Sequence, residues 1–312
     1  MKKITRVLCL ILAFSLFTFL ALGSGSTDEG KEIVPNTEAN NSAKESEASN
    51  ISTEENNSTE GSNKVTIEEQ VLLDQDSIKI TAKEYVDDSI WGEGIKVLIE
   101  NSGEKNVTVS CNALIVNNYM IYDFFVAEVA AGKKANETIY LSSNQLEAAG
   151  IDCIGQVEIY FHVYDDETYD TIFDSDVVTI QTSAFADMDI TPADTGFELY
   201  NQDGVRIVGK FVDENSFWGT AVLLYLENNS GQNISVSCDN MSINGFMVTP
   251  LFSSTIYDGK MAVSEITIFE SDLTDNGIEA VEEVELSFQI YNDETWETIV
   301  DTDPISFAVA AE

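Results

Sequence analysis

The chain has 312 residues, and its 55 Asp and Glu against 15 Lys and Arg give a net charge of −40. That charge excludes nucleic-acid backbones and anionic lipid as electrostatic partners, since no basic footprint is present to engage them. A hydrophobic content of 44% still suffices for folded cores, with room for two domains, while a single His and four Cys leave little for His-based catalysis or a zinc site.

The chain opens on Lys2, Lys3 and Arg6, followed by an apolar run from Val7 to Leu22 with small residues at Ala21 and Gly23. This reads as a secretory signal peptide over residues 1–23, which places the protein outside the cytoplasm, secreted or on the cell surface. If the segment is not cleaved, the same run serves as an N-terminal membrane anchor, although it is slightly short of a full span. Cys9 lies too early in the run for lipid attachment. Residues 24–64 are Ser-, Asn- and Glu-rich, with 9 acids against 3 bases, a net of −6. So few large apolar residues cannot offset the entropy of ordering, and the segment is expected to be a disordered linker.

A repeat governs the remainder. Shifted by 127 residues, positions 75–180 align with 202–307 without a gap, and 34 of 106 positions are identical. Trp91-Gly92 matches Trp218-Gly219, and Val109-Ser110-Cys111 matches Val236-Ser237-Cys238. Two units of this length are tandem domains rather than solenoid turns. They are expected over 66–183 and 193–312, with a joint near Ser183–Thr195. Both copies are strongly acidic, and like charge predicts that they pack loosely against each other.

Within copy one, apolar residues alternate at Ile78-Ile80-Ala82, Ile95-Val97-Ile99, Val107-Val109-Cys111 and Val157-Ile159-Phe161-Val163. Period two means half-buried strands, because successive side chains point to opposite faces. Copy two repeats the pattern at Val205-Ile207 and Val222-Leu224-Leu226. Asn244-Gly245, and more weakly Asn117-Asn118, predict tight hairpins, since these residues accept positive φ. Ser143 to Gly150 reads as one short helix, capped by Ser143 and ended by Gly150. The expected fold is all-β: two tandem antiparallel immunoglobulin-like sandwiches, each with one short helical connection; a small closed barrel is the alternative.

Gly94 to Asn101 followed by Asn106 to Ser110, with Asn117 to Met120, Ala130 to Ala135 and Asp174-Ser175-Asp176, resembles β-sandwich repeats of uncharacterised extracytoplasmic proteins from Gram-positive, mainly gut, bacteria. The resemblance covers both copies. It implies a surface or secreted location and no particular activity.

Candidate chemistry is sparse. His162 lies on an alternating strand with no nucleophile placed for it, and is expected to be structural. Cys111 and Cys238 hold equivalent strand positions and are expected to be structural thiols; Cys111–Cys153 is the alternative pairing, absent from copy two because Ala280 replaces Cys153. Acidic turns hold Asp165, Asp166, Asp174 and Asp176 in copy one and Asp293, Asp301 and Asp303 in copy two. They are candidate calcium ligands, against the simpler reading as solvated turns. Trp91 and Trp218 are expected to anchor the two cores. Tyr169 and Trp296, at hairpin tips, are candidate ligand contacts. No phosphate loop or paired metal-binding His is present, so a non-enzymatic protein is expected, presenting its domains to a protein or glycan. A carbohydrate- or calcium-binding module is the alternative.

Overall fold

The structure, a computed structural model, describes residues 30–36, 64–88, 91–122 and 124–310. The signal segment and most of the acidic linker lie outside them. The chain is all-β. Strand β1 (Lys31–Pro35) comes first. Copy one holds β2 (Gln70–Gln75), β3 (Ile78–Asp88), β4 (Gly92–Asn101), β5 (Val107–Val116), β6 (Tyr119–Ile121), β7 (Val126–Val129), β8 (Lys134–Tyr140), β9 (Gln156–Asp165), β10 (Thr171–Asp174) and β11 (Val178–Gln181). Copy two answers with β12 (Phe197–Gln202), β13 (Val205–Ser216), β14 (Gly219–Asn228), β15 (Ile234–Ile243), β16 (Phe246–Met247), β17 (Ser253–Ile256), β18 (Lys260–Phe269), β19 (Glu283–Asn292), β20 (Thr298–Asp301) and β21 (Ile305–Val309). Strand for strand, the second set follows the first in the same order.

Local chemistry explains the repetition. The β5–β6 turn holds Asn117 and Asn118 at φ 46° and 71°, and the β15–β16 turn holds Asn244 and Gly245 at 51° and 81°. Positive φ at both central residues is the twist that a two-residue hairpin requires. Asn117 does more than turn. Its Nδ2 donates to the Cys153 carbonyl and its Oδ1 accepts from the Gly155 and Gln156 N–H groups. Asn244 makes the equivalent bonds to Ala280, Glu282 and Glu283. A second pair, buried Asn101 and Asn228, each donates to one loop carbonyl, Lys105 or Gln232, and to one at a strand end, Val129 or Ile256. Buried amides satisfied in this way fix loops that apolar packing alone leaves loose. The helix expected from Ser143 forms over Ser143–Ala148, but Ser142 occupies the cap position and makes no side-chain capping bond.

In copy one, β2-β3-β4-β8 forms one antiparallel sheet, and β5 sits between β7 and β9 in the second. Ile80, Ile95, Val97, Ile99 and Ile139 of the first sheet bury against Val109, Leu114, Val157, Ile159 and Phe161 of the second. Copy two repeats the arrangement, with β12-β13-β14-β18 covering β17-β15-β19.

The copies do not stay apart. The core of copy one continues onto the outward face of the β13-β14-β18 sheet, taking in Val208, Leu223, Tyr225, Met261 and Val263. Tyr225 is fully buried there and meets Tyr119 of copy one edge-on at 6.5 Å. The Met261 N–H donates to the Asn118 carbonyl at 3.0 Å, and Lys260 Nζ pairs with Glu158 at 2.5 Å. The loose coupling expected from like charge therefore gives way. Repulsion between exposed charges is screened within about 8–10 Å, whereas apolar burial at the junction is not.

The acidic linker also departs from expectation. Lys31-Glu32-Ile33-Val34-Pro35 is a strand, not coil. It pairs with β13 through Lys31↔Val212 and Glu32↔Phe211, then crosses to β21 through Ile33↔Val309, Val34↔Ala308 and Pro35↔Phe307. Ile33 is 4% exposed and joins the core of copy two. An isolated Ile-Val pair is enough here because the edge strands of copy two supply the missing hydrogen bonds. In copy one the corresponding place is filled locally by Ile67, which bridges Thr182.

Glu265, on β18 at the junction face, gives a testable consequence. Burial, followed by the Asp213 charge, raises its carboxyl to about 7, against an unfolded value of 4.5. A raised carboxyl favours the protonated folded form. Its contribution to stability is complete below pH 4.5 and is lost as pH rises to 7, at a cost of up to about 3 kcal/mol. Glu265→Gln is expected to be more stable than the parent above pH 7, with the difference shrinking toward pH 4.5. Denaturant melts of both proteins at a series of pH values check this; parallel profiles would refute it.

Candidate functional site

The predicted calcium ligands are placed as turn-makers. Asp165 is buried beside Lys105 Nζ at 2.6 Å, and its Oδ1 accepts from the Glu167 and Thr168 N–H groups. The Lys105 hydrogen bond first, then those two backbone donors, hold its carboxyl down at about 2. In copy two Asn292 fills the same role for Glu294 and Thr295, so the position needs an acceptor and not a charge. Asp166 accepts from Thr108 Oγ1, and its counterpart Asp293 accepts from Ser235 Oγ at 2.6 Å. Asp174 takes Asn112 Nδ2 and His162 Nδ1, while Asp301 takes Gln289 Nε2. Asp176 follows β10, and Asp303 lines a shallow surface hollow with Glu198 and Asp301. Among the described residues, no three His, Cys, Asp or Glu side chains converge to hold a metal ion. Five of the seven candidate carboxylates, Asp165, Asp166, Asp174, Asp293 and Asp301, are each engaged by a turn or strand partner of their own.

Cys111, Cys153 and Cys238 are thiols, with no disulfide between Cys111 and Cys153. Burial pushes the Cys238 thiol up to about 12, which makes it a packing residue and not a nucleophile. Cys111 is half-buried at the equivalent strand position.

Tyr169 and Trp296 sit at the expected hairpin tips, 69% and 63% exposed, with φ of 60° and 61°. Each ring stacks on an aromatic of its own strand. Tyr169 lies over Tyr164 at 6.3 Å, and Trp296 lies over Tyr291 at 5.3 Å. One face of each ring is thus engaged internally. The N–H groups of Tyr169 and Trp296 donate to the Asp165 and Asn292 carbonyls, so the same turns that use the side chains of Asp165 and Asn292 also hold these bulky residues at positive φ.

The core-anchor assignment fails for Trp91. Its ring is 65% exposed, with its backbone N–H on Asp88 Oδ1 and its face tilted toward Tyr140 at 6.1 Å. Trp218 is half-buried, edge-on to Phe217 at 4.8 Å, and its indole N–H is buried without an acceptor among the described residues. The structural demand at this motif belongs to the glycine. A Cβ on Gly92, at φ +79°, would strike Ser143 Oγ, and one on Gly219 would strike the Ile268 carbonyl. Each Trp precedes the alternating run and hence lies at the end of the sandwich, outside the strand register that buries side chains.

Trp91 instead helps to form a cleft. Trp91, Tyr122, Phe124 and Tyr140, all exposed, surround about 430 Å³ of space over buried Phe125 and Leu141, and Thr138, Ser142, Ser143 and Asn144 complete the lining. Tyr122 is held by its backbone N–H on Gln145 Oε1 at 2.6 Å; Gln145 is buried and its Nε2 has no acceptor among the described residues. Copy two keeps the tether with different side chains around it. The Thr249 N–H donates to Asp272, the counterpart of Gln145. There Leu251 bridges Thr267 with a bond in each direction, and Phe269 stands in the place of Ser142. The aromatic residues Tyr122, Phe124 and Tyr140 correspond to Thr249, Leu251 and Thr267. The signal for this cleft was present in the repeat alignment, at aromatic positions where the copies differ, whereas attention to identical positions led to Trp91 and Trp218 as anchors.

No protein-family model matches the chain, and no curated protein matches it. Among solved structures, the YadV chaperone is similar at 12% identity, over 75% of this chain and 100% of its own, with a TM-score of 0.24. The Salmonella enterica SafA pilin in complex with the SafB chaperone gives 9% identity over 74% and 96%, with a TM-score of 0.23. A Bacteroides uniformis β-glucuronidase gives 13% identity over 75% of this chain and 26% of its own, with a TM-score of 0.22. Similarities of this size do not bear on function.

The two tryptophans are expected to separate on substitution. Trp91→Ala should cost less than about 1 kcal/mol, the scale of a surface change. Trp218→Ala should cost clearly more, toward the roughly 3 kcal/mol at which core aromatic truncations begin. Chemical denaturation of the two variants measures both; equal losses would return Trp91 to the core.

Proposed function

We propose that the protein is a non-enzymatic extracytoplasmic binding protein, in which two tandem immunoglobulin-like sandwiches present the copy-one cleft to a macromolecule bearing sugar rings. The order β3-β4-β8 against β7-β5-β9-β11 supports the immunoglobulin-like reading, since it follows the split of A, B and E from C′, C, F and G. The apolar run at residues 7–22 supports export. Among the described residues, no helix is long and apolar enough to cross a membrane, and residues 1–29 are outside that statement.

The observation that carries the reading is the aromatic cleft of copy one, lined by Tyr122, Phe124 and Tyr140 where copy two has Thr249, Leu251 and Thr267. A cleft of this volume, mostly apolar with a few polar groups, is within the range of small-ligand sites. A sugar ring matches its chemistry. The C–H face lies on Trp91 or Tyr140, whose rings are tilted 39° to each other, and the equatorial hydroxyls reach Ser142, Ser143 and Asn144. Lining of this kind offers no cation to an acidic ligand, so a neutral glycan is favoured over an anionic one.

A glycan array probed with the whole chain is expected to show binding to neutral glycans that falls at least roughly tenfold in Trp91→Ala and in Tyr140→Ala, equivalent to about 1.4 kcal/mol. Unchanged binding in both variants would remove the cleft from the account. Binding unaffected there but lost in Tyr169→Ala and Trp296→Ala would move the site to the hairpin tips. Mass spectrometry of protein recovered outside the cell is expected to find an N-terminus near Ser24, and retention of Met1 would favour the anchored form.

A further inference from the structure

We infer that β1 is an exchangeable strand, and that a second copy of this chain can donate its residues 31–35 to copy two, with the exchange made reciprocally to give a closed dimer. The slot is specific. Ile33 enters over Gly209, where an added Cβ would lie 2.7 Å from the Ile33 side chain, so the absence of a side chain at 209 makes the space. Lys31 Nζ meets Glu214 Oε2 at 2.6 Å, and Glu214 is fixed in turn by the Val281 N–H at 2.7 Å. The Ala310 N–H donates to the Glu32 carbonyl, and Asn36 Nδ2 donates to Glu283 at the far end. The strand closes the seam between the two sheets of copy two, pairing with β13 on one and β21 on the other.

The source of the strand is what makes exchange available. In copy one the slot is filled by Ile67, which is separated from β2 by only two residues, Glu68 and Glu69. Copy two has no such local strand. The chain entering it is committed to the junction: the Ala193 N–H donates to Tyr119 Oη, and Lys210 Nζ donates to the Ala193 carbonyl. The slot is filled from the other side of copy one, and residues 37–63 connect β1 to it. Those 27 residues can span at most about 95 Å. Such reach places no requirement that the strand enter its own chain's slot. Every bond β1 makes is the same in the exchanged form, so the choice is set by effective concentration, millimolar at best for a tethered segment, against the concentration of other chains. Reciprocal exchange leaves no slot open and no strand unpaired, hence closure at two chains.

The Lys31–Glu214 pair supplies the test. Full-length Lys31→Glu and Glu214→Lys each place like charges in the slot, whether the strand closes on its own chain or on an identical one. Only a mixed, reciprocally exchanged dimer restores both opposite-charge pairs. Unfolded and refolded together at high concentration, the two variants are expected to give roughly tenfold more dimer by light scattering and native mass spectrometry than either alone, a modest factor in keeping with partly exposed ion pairs. Adding Ile33→Asp to both chains is expected to abolish the gain. No gain on mixing, or a gain that survives Ile33→Asp, would overturn the proposal, the latter because it would reflect attraction between altered surfaces. If either charge variant fails to fold, Val34→Cys and Ala308→Cys chains, which face each other across β1 and β21, replace them. A short bis-maleimide, which adds one cysteine thiol to each ring, should join these two chains when mixed, well above either alone, and no excess on mixing counts equally against exchange.

Discussion

Tyr225 is buried on a sheet face that an isolated sandwich would expose to water, and the arrangement of the whole molecule depends on that burial. A ring of this size removes about 150–250 Å² from solvent, on the order of 4–6 kcal/mol of transfer free energy. It requires copy one to sit over β13, β14 and β18, with Tyr119 against Tyr225. The segment between the copies is consequently drawn along the junction, where Arg206 lies over the Tyr225 ring and binds Asp194. A segment held there cannot also fill the slot between β13 and β21, and a strand from residues 31–35 takes that place.

Charge is managed locally rather than by separation. The junction pairs Lys260 with Glu158, both largely buried, and surrounds Arg206 with Asp194, Glu198 and Glu227. The scarce cations of this acidic chain are thus placed where carboxylates would otherwise face apolar surface. Glu265 has no cation partner among the described residues and responds by holding its proton toward neutral pH. Elsewhere carboxylates pair with surface lysines, as Glu69, Glu84 and Glu100 do, or serve backbone turns, as Asp165 and its uncharged counterpart Asn292 show.

Duplication provides an internal control for function. Three kept pairs have structural roles: Asn101 and Asn228 hold loops, Asn117 and Asn244 hold hairpins, and Gly92 and Gly219 allow close approach. Where they diverge at an exposed aromatic, as at Tyr122, Phe124 and Tyr140, copy one has an aromatic cleft and copy two carries Thr249, Leu251 and Thr267. The proposed recognition site and the exchangeable strand therefore lie in different copies, and one can be altered without the other.

The sequence by itself determined strands β3, β4, β5 and β9 with their counterparts β13 and β14, the two Asn-bearing hairpin turns and the gapless repeat. These follow from period-two burial, from the positive φ that Asn and Gly accept, and from a gapless repeat, all of which are properties of neighbours along the chain. It also determined where Tyr169 and Trp296 stand, because a tip is solvent-facing whatever surrounds it. It could not place Trp91, which lies outside the alternating register, nor decide whether the acidic turns meet, since convergence of loops depends on how the sheets stack. The docking of Lys31–Pro35 was illegible for the same reason. Five residues with one Ile-Val pair carry no strand signal of their own, and only the open edges of β13 and β21, brought together by tertiary packing, make them a strand.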